Sequence, residues 1–316
     1  MPDLYIGIMS GTSMDAVDAV LCSVSDSKIS TLSSHSLPID SDLKLSIARL
    51  CKPGPDEIDR LMKTSNQFAI LTSRVVQELL NNRGLGPDDI RAIGSHGQTI
   101  RHMPDGENRY SLQIGNPSLI AQQTNITTVA DFRLADMAAD GQGAPLVPAF
   151  HQACFGKAGT KRLIINIGGI SNITILPADE QEDIKGYDIG PGNTLLDQWI
   201  QDKKNAPYDL NGEWAQSGSL SPDLLKQFMN DPFFQLPPPK STGRERFNLD
   251  WIKKSLDNCT GISNKDTQRT LTELTSLVIA NSVKQETGNT SCEIYLCGGG
   301  VNNPLIVDIL KTLLPH

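Results

Sequence analysis

Residues 5–22 read YIGIMSGTSMDAVDAVLC. A largely apolar run enters the polar stretch Ser10 to Asp15, and an apolar run leaves it, which is the grammar of strand, tip and strand. An ordinary turn needs far fewer hydroxyl and carboxylate groups. Glycine, serine and threonine at such a tip can aim backbone N–H groups and hydroxyls at an anion, because glycine lets the backbone approach closely. Asp15 and Asp18 would repel a bare phosphate, and they make sense if Mg²⁺ or its water shell lies between. A tight hairpin holding nothing is the alternative.

The same grammar returns twice. Arg162 to Leu176, RLIINIGGISNITIL, is a strand, a Gly-Gly-Ile-Ser-Asn tip and a strand. Glu293 to Leu314, EIYLCGGGVNNPLIVDILKTLL, is a strand, three glycines and a helix starting at Pro304. Two hairpins well over a hundred residues apart indicate a duplicated architecture with one hairpin in each half. Facing hairpins of this kind would clamp a nucleotide's phosphates, and the triple glycine would add backbone surface and a helix N-terminus.

Between the hairpins, helices alternate with strands, so the fold class is α/β. Ile58, Leu61, Met62, Phe68, Leu71, Val75 and Leu79 form one apolar stripe, with Gly84 as C-cap. Asn116 and Pro117 open another helix as N-cap and first-turn residue. DTQRTLTELTSLVIANSVKQ reads as an amphipathic helix, and Phe233 to Asn248, FFQLPPPKSTGRERFN, as a surface loop. The domain change is expected near Asp131, giving domains 1–130 and 131–316.

At 316 residues the chain suits two domains of ordinary size. A net charge of −8 with no basic run argues against a nucleic-acid partner. No run of about 18 apolar residues is present, so no membrane span is expected, and the N-terminus does not read as a signal peptide. Six scattered cysteines without metal-type spacing read as buried, reduced thiols of a cytoplasmic protein. Neither a P-loop nor a G-x-G-x-x-G fingerprint occurs.

The strongest catalytic candidate is Asp188 in KGYDIGPGNTLLDQW, residues 185–199. It follows a short strand and precedes Gly-Pro-Gly-Asn, a turn that exposes a carboxylate for general-base work, although capping of the turn is the plain alternative. GSHGQTIRH, residues 94–102, puts His96, Gln98 and Thr99 where they could hydrogen-bond a polyol. Arg133 and Asp136 could bind a carboxylate and a sugar hydroxyl, or form a structural ion pair.

MSGTSMDAVDAVL, GSHGQT, LQIGNPSLIA, ADFRLADMAADGQGAPLVPAFH, NIGGISNIT, DIGPGNTLLD, STGRERFN and CGGGVNNP, in this order, resemble the motifs of the anhydro-N-acetylmuramic acid kinase family from Tyr5 to the end. The resemblance implies an actin/hexokinase/Hsp70-like fold, with two α/β domains about a cleft that closes on ATP and sugar. It implies a reaction of 1,6-anhydro-N-acetylmuramic acid, ATP and water, with Mg²⁺, giving N-acetylmuramic acid 6-phosphate and ADP in murein recycling. It leaves a homodimer open.

By the same resemblance, Gly11, Thr12, Ser13, Met14, Asp15, Ala16, Val17 and Asp18 form the first phosphate loop, and Gly168, Gly169 and Asn172 the second. Gly298, Gly299, Gly300 and Asn303 would serve the adenosine side. Asp188 would activate water, and Arg133 would bind the lactyl carboxylate. Two positions depart from the family's glycines: Ala16 and Asp140. The family also continues past ILKTLLPH, with a tail that completes the second domain. An impaired nucleotide-binding remnant of the same fold is therefore the alternative expectation.

Overall fold

The computed structural model describes residues 3–11, 14–25, 28–104, 106–179, 181–288 and 291–314. The chain divides into two compact units, Met1–Leu146 and Val147–His316.

In the first unit, β1 (Asp3–Met9), β2 (Ala16–Ser25) and β3 (Lys28–Pro38) form an antiparallel meander. Two helices follow, α1 (Ser41–Leu50) and α2 (Glu57–Arg83), and then β4 (Ile90–Ser95) returns parallel to β1. β5 (Gln98–Met103) and β6 (Tyr110–Ile114) form a separate two-stranded sheet. The unit closes with α3 (Pro117–Thr124), β7 (Thr128–Val129) and α4 (Phe132–Ala138). The main sheet runs β3-β2-β1-β4-β7.

The second unit begins with α5 (Pro148–Phe155) and repeats the pattern: β8 (Arg162–Ile167), β9 (Ile170–Leu176) and β10 (Lys185–Pro191) form a meander. α6 (Thr194–Lys204), α7 (Glu213–Gln216), α8 (Pro222–Met229), α9 (Leu249–Leu256) and α10 (Asn264–Thr287) come next. β11 (Glu293–Cys297) then lies parallel to β8, and α11 (Pro304–Leu313) ends the unit. This sheet runs β10-β9-β8-β11. In both units the order is third, second, first, then a returning parallel strand, so the duplication expected from the two hairpins is present in the topology.

Each sheet carries its own core. Ile6, Val17, Leu21 and Ile93 meet Phe68, Val75 and Leu79 of α2 in the first unit. Leu163, Ile165 and Ile173 meet Leu271, Leu274 and Phe228 in the second. Gly84 caps α2 in the left-handed conformation, and the Asn116 side chain accepts from Leu119 N at 3.2 Å at the start of α3.

Several expectations are corrected. Ile58 is 78% exposed and Met62 is also exposed, while Leu61 between them packs against the core. α10 is less amphipathic than its sequence reads: Thr267, Thr270, Thr272, Thr275 and Ser276 are buried, since the helix packs against α6, α8, α11 and β10. The stretch 233–248 is not a surface loop throughout, for Phe233, Thr242 and Phe247 are buried. None of the six free cysteines is buried: Cys51, Cys154 and Cys297 are exposed, at helix ends and on β11. Residues 131–146 belong with the first unit rather than the second, because α4 packs on β6 and Arg133 bonds back to His96. Among the described residues, no helix is long and apolar enough to cross a membrane.

Candidate active site

The tip of β1–β2 is built from backbone closure. Met14 N donates to Gly11 O at 3.1 Å, and Met14 takes φ 56, a conformation that costs a side-chain-bearing residue energy. Thr12 and Ser13 lie outside the described residues. Ser10 Oγ, buried, donates toward Gln98 Oε1 at 2.7 Å and lies 3.0 Å from Ala16 O. Gln98 is therefore occupied in tying the start of β5 to the hairpin, and its Nε2 donates to Thr99 O. Thr99 Oγ1 accepts from Gln113 Nε2 at 3.1 Å.

Asp15 is exposed and accepts from Lys44 Nζ at 2.7 Å. Asp18 is exposed on β2 opposite Met9. Val17 belongs to the core, and Ala16 starts β2 without a positive φ, so its departure from glycine brings no strain. Asp140 is different: it sits at φ 67, where glycine is free and aspartate tolerated.

His96 follows β4, and its N–H donates to Ile8 O. Its side chain is committed at both nitrogens. Arg133 Nε, which can only donate, lies 2.9 Å from His96 Nε2, so that nitrogen is the unprotonated acceptor. The ring proton is then on Nδ1 and points at Gly97 O, 2.8 Å away. Burial and the neighbouring Arg133 charge lower the His96 pKa to about 4, against the opposing pull of the Gly97 bond. His102 is lowered to about 4 by the same two causes.

Arg133 Nη1 donates to Gly143 O at 2.8 Å, while Gly143 N donates to Asp136 Oδ2 at 2.7 Å. Asp136 thus holds the loop that holds Arg133. Beside His96, a small pocket is lined by Ser65, Ser95, Gln113, Asn116 and Asp131. Ser95 Oγ and Gln113 Oε1 are buried without a hydrogen-bond partner among the described residues.

In the second unit the four-stranded sheet sets four side chains in one row. Cys297 pairs with Asn166, Asn166 with Asn172, and Asn172 with Asp188, so they stand across β11, β8, β9 and β10 on one face. Asp188 is 5% exposed. Its Oδ2 accepts from Ser241 Oγ and from Thr242 N, both at 3.0 Å, and its own N–H donates to Lys240 O. The segment 240–242 therefore fixes the carboxylate. Nearby Glu245 keeps one side in solvent, yet desolvation raises its pKa, with the Asp188 charge adding to the rise and backbone N–H groups opposing it. Asn172 Oδ1 is buried and has no partner among the described residues.

At the second tip, Gly169 O accepts from Gly192 N and Thr194 N, and Gly168 O accepts from Asn193 N. These bonds fasten the start of α6 to the hairpin and use none of the Gly168 or Gly169 N–H groups. Of the triple glycine, Gly298 and Gly300 lie so close to Asn166 and Ile167 that neither has room for a side chain. A Cβ on Gly299 would meet only Asn193 Nδ2, at 3.9 Å, so this glycine is the open member. Asn303 caps α11, its Oδ1 accepting from Leu305 N at 3.1 Å.

Sequence reasoning singled out Asp188 but missed Ser241, Thr242 and Glu245 as its neighbours and Asn166 as its row mate. The available signal was the density of hydroxyl and charged residues in KSTGRERFN directly after three prolines. For Mg²⁺, no cluster of three metal-binding side chains exists among the described residues. Of the two carboxylates near the first tip, Asp15 is engaged by Lys44 and Asp18 stands exposed on β2.

The repeated meander with a glycine-bearing tip in each unit defines a duplicated α/β protein. A sequence model described as "Anhydro-N-acetylmuramic acid kinase" matches residues 3–316. Relatives named anhydro-N-acetylmuramic acid kinase from Shewanella sp. (strain W3-18-1) and from Shewanella oneidensis are 49% and 47% identical over 311 residues, covering 98% of this chain and 84% of theirs. The chain belongs to the anhydro-N-acetylmuramic acid kinase family. Among solved structures, the activator of the 2-hydroxyisocaproyl-CoA dehydratase from Clostridium difficile with bound ADPNP is similar at a TM-score of 0.46 and 13% identity, over 99% of this chain and 85% of its own. The assignment rests on the sequence matches alone.

Proposed function

We propose that this kinase converts 1,6-anhydro-N-acetylmuramic acid, ATP and water to N-acetylmuramic acid 6-phosphate and ADP, as a cytoplasmic step of murein recycling. The observation that carries the reading is the fixed carboxylate of Asp188, buried and held through Oδ2 by Ser241 and Thr242. A carboxylate whose orientation is set in this way can accept a water proton without first being re-aimed.

In this reading Asp188 takes a proton from water as the water oxygen bonds to the anomeric carbon. The bond from that carbon to O6 breaks, and O6 takes the γ-phosphoryl group while ADP leaves. Phosphoryl transfer depends on positioning and charge stabilisation more than on covalent help. Gly11 and Met14 at the first tip, and Gly168 and Gly169 at the second, supply backbone for the phosphates. Gly299 is the open glycine for the adenosine side. Arg133 binds the lactyl carboxylate as a planar fork. Mg²⁺, when bound with the nucleotide, neutralises phosphate charge, with Asp18 placed to hold its water shell.

The test is an ADP-release assay with and without the anhydro sugar, run on the native chain and on Asp188→Asn. The native chain should release ADP only with sugar, and the variant should keep ATP binding while turnover falls about 10² to 10⁴-fold. ATP binding without sugar-dependent ADP release would favour a nucleotide-binding remnant. Near-normal turnover in Asp188→Asn would remove this residue from the mechanism.

A further inference from the structure

His96 entered the sequence reading as a hydrogen-bonding partner for a polyol. Its geometry assigns it elsewhere. Both ring nitrogens already have partners, Arg133 Nε at 2.9 Å and Gly97 O at 2.8 Å. An imidazolium would put an N–H against a guanidinium N–H, like charge against like charge, so the arrangement requires the neutral ring with its proton on Nδ1.

We infer that His96 is the positioning residue that aims Arg133 at the substrate's carboxylate, and so sets the preference for an acid-bearing anhydro sugar. This rests on the reading of Arg133 as the carboxylate ligand. Two of the acceptors that set the plane of the guanidinium are His96 Nε2, just after β4, and Gly143 O in the loop after α4. Asp136 anchors that loop through Gly143 N. An arginine held from two sides loses little side-chain freedom when a carboxylate docks, and a bidentate contact demands that the plane be right. The low proton affinity of His96 and His102 keeps both rings uncharged beside Arg133 at neutral pH. A sugar lacking the carboxylate leaves the oriented fork without its ligand, which is a stronger rejection than a flexible side chain would give.

Two measurements test this on the intact protein. Imidazole ¹⁵N spectra of the native chain at pH 7 should show His96 protonated on Nδ1 and unprotonated on Nε2. The opposite tautomer, or an imidazolium, overturns the inference. In kinetics, 1,6-anhydro-N-acetylmuramic acid is compared with 1,6-anhydro-N-acetylglucosamine, which lacks the lactyl group. His96→Phe removes the acceptor and should raise KM for the acid sugar about tenfold, with kcat within about threefold, and cut the preference between the sugars about tenfold. His96→Gln, whose Oε1 can replace Nε2, should stay within about threefold of native on every count. An unchanged preference in His96→Phe, or an equal loss on both sugars, overturns the positioning role. A native chain that phosphorylates neither sugar removes the reading of Arg133 and with it the specificity role, while the tautomer is decided separately by the spectra.

Discussion

At the scale of single residues, the two histidines near Arg133 make a prediction about acid stability. His96 and His102 have folded pKa values of about 4 against 6.5 for the free side chain. Burial and the Arg133 charge disfavour the protonated rings, so the unfolded chain binds more protons anywhere between these values. Stability contributed by the neutral rings is complete above pH 6.5 and is lost as pH falls toward 4. Each histidine contributes on the order of 3 kcal/mol across that window. Urea unfolding at pH 7.5, 6 and 5 should therefore show a steep loss in the native chain and a shallower one in His96→Gln. Equal slopes in the two proteins would mean that His96 titrates normally. Asp188 was legible in the sequence because a carboxylate before Gly-Pro-Gly-Asn stands out locally. Its tethers, Ser241 and Thr242, were not, because they lie more than fifty residues away and only the folded chain brings them to Oδ2. The engagement of His96 was hidden for the same reason: Arg133 is 37 residues away.

At the scale of elements, local chemistry was readable and packing was not. The caps at Gly84 and Asn116 and the start of α11 at Pro304 depend on residues within one turn of each other. The exposure of Ile58 and Met62, by contrast, depends on which side of the helix start tertiary packing covers, and no periodicity records that. α10 is the clearest case, since its threonines read as a polar face but are buried against neighbouring elements. They divide by what their hydroxyls do. Thr275 Oγ1 lies 3.0 Å from Gly192 O and 3.3 Å from Pro191 O, tying the helix to the turn after Asp188. Thr272 Oγ1 returns to its own helix at Gln268 O, 2.9 Å away. Thr275→Val should cost about 1 to 3 kcal/mol, because it strands buried carbonyl groups of another element. Thr272→Val removes a bond to a carbonyl already within the helix ladder and should cost less than about 1 kcal/mol. Denaturant midpoints of the two variants decide the matter, and equal losses would contradict the tie between α10 and the turn.

At the scale of the whole molecule, the duplication was legible because each half repeats a hairpin whose tip chemistry is conspicuous. The position of the division was less so: α4 follows β7 directly in sequence, and only its packing on β6 assigns it to the first unit. The consequence lies in stability. The buried apolar cluster of Ile6, Phe68 and Leu79 shares no residue with that of Leu163, Phe228 and Leu274. Deleting methyl groups from one cluster removes no contact within the other, and effects at sites that share no partners act independently. Leu79→Ala and Phe228→Ala should each cost about 2 to 5 kcal/mol, but in different units. Calorimetry of the native chain should then show a van't Hoff enthalpy below the calorimetric enthalpy, the mark of more than one cooperative unit. Hydrogen exchange followed by peptide should report faster opening within residues 3–146 for Leu79→Ala and within 147–314 for Phe228→Ala. If both variants instead accelerate exchange everywhere by the same factor, the two cores melt as one cooperative block and the repeated meander is a duplication of topology without independence of folding.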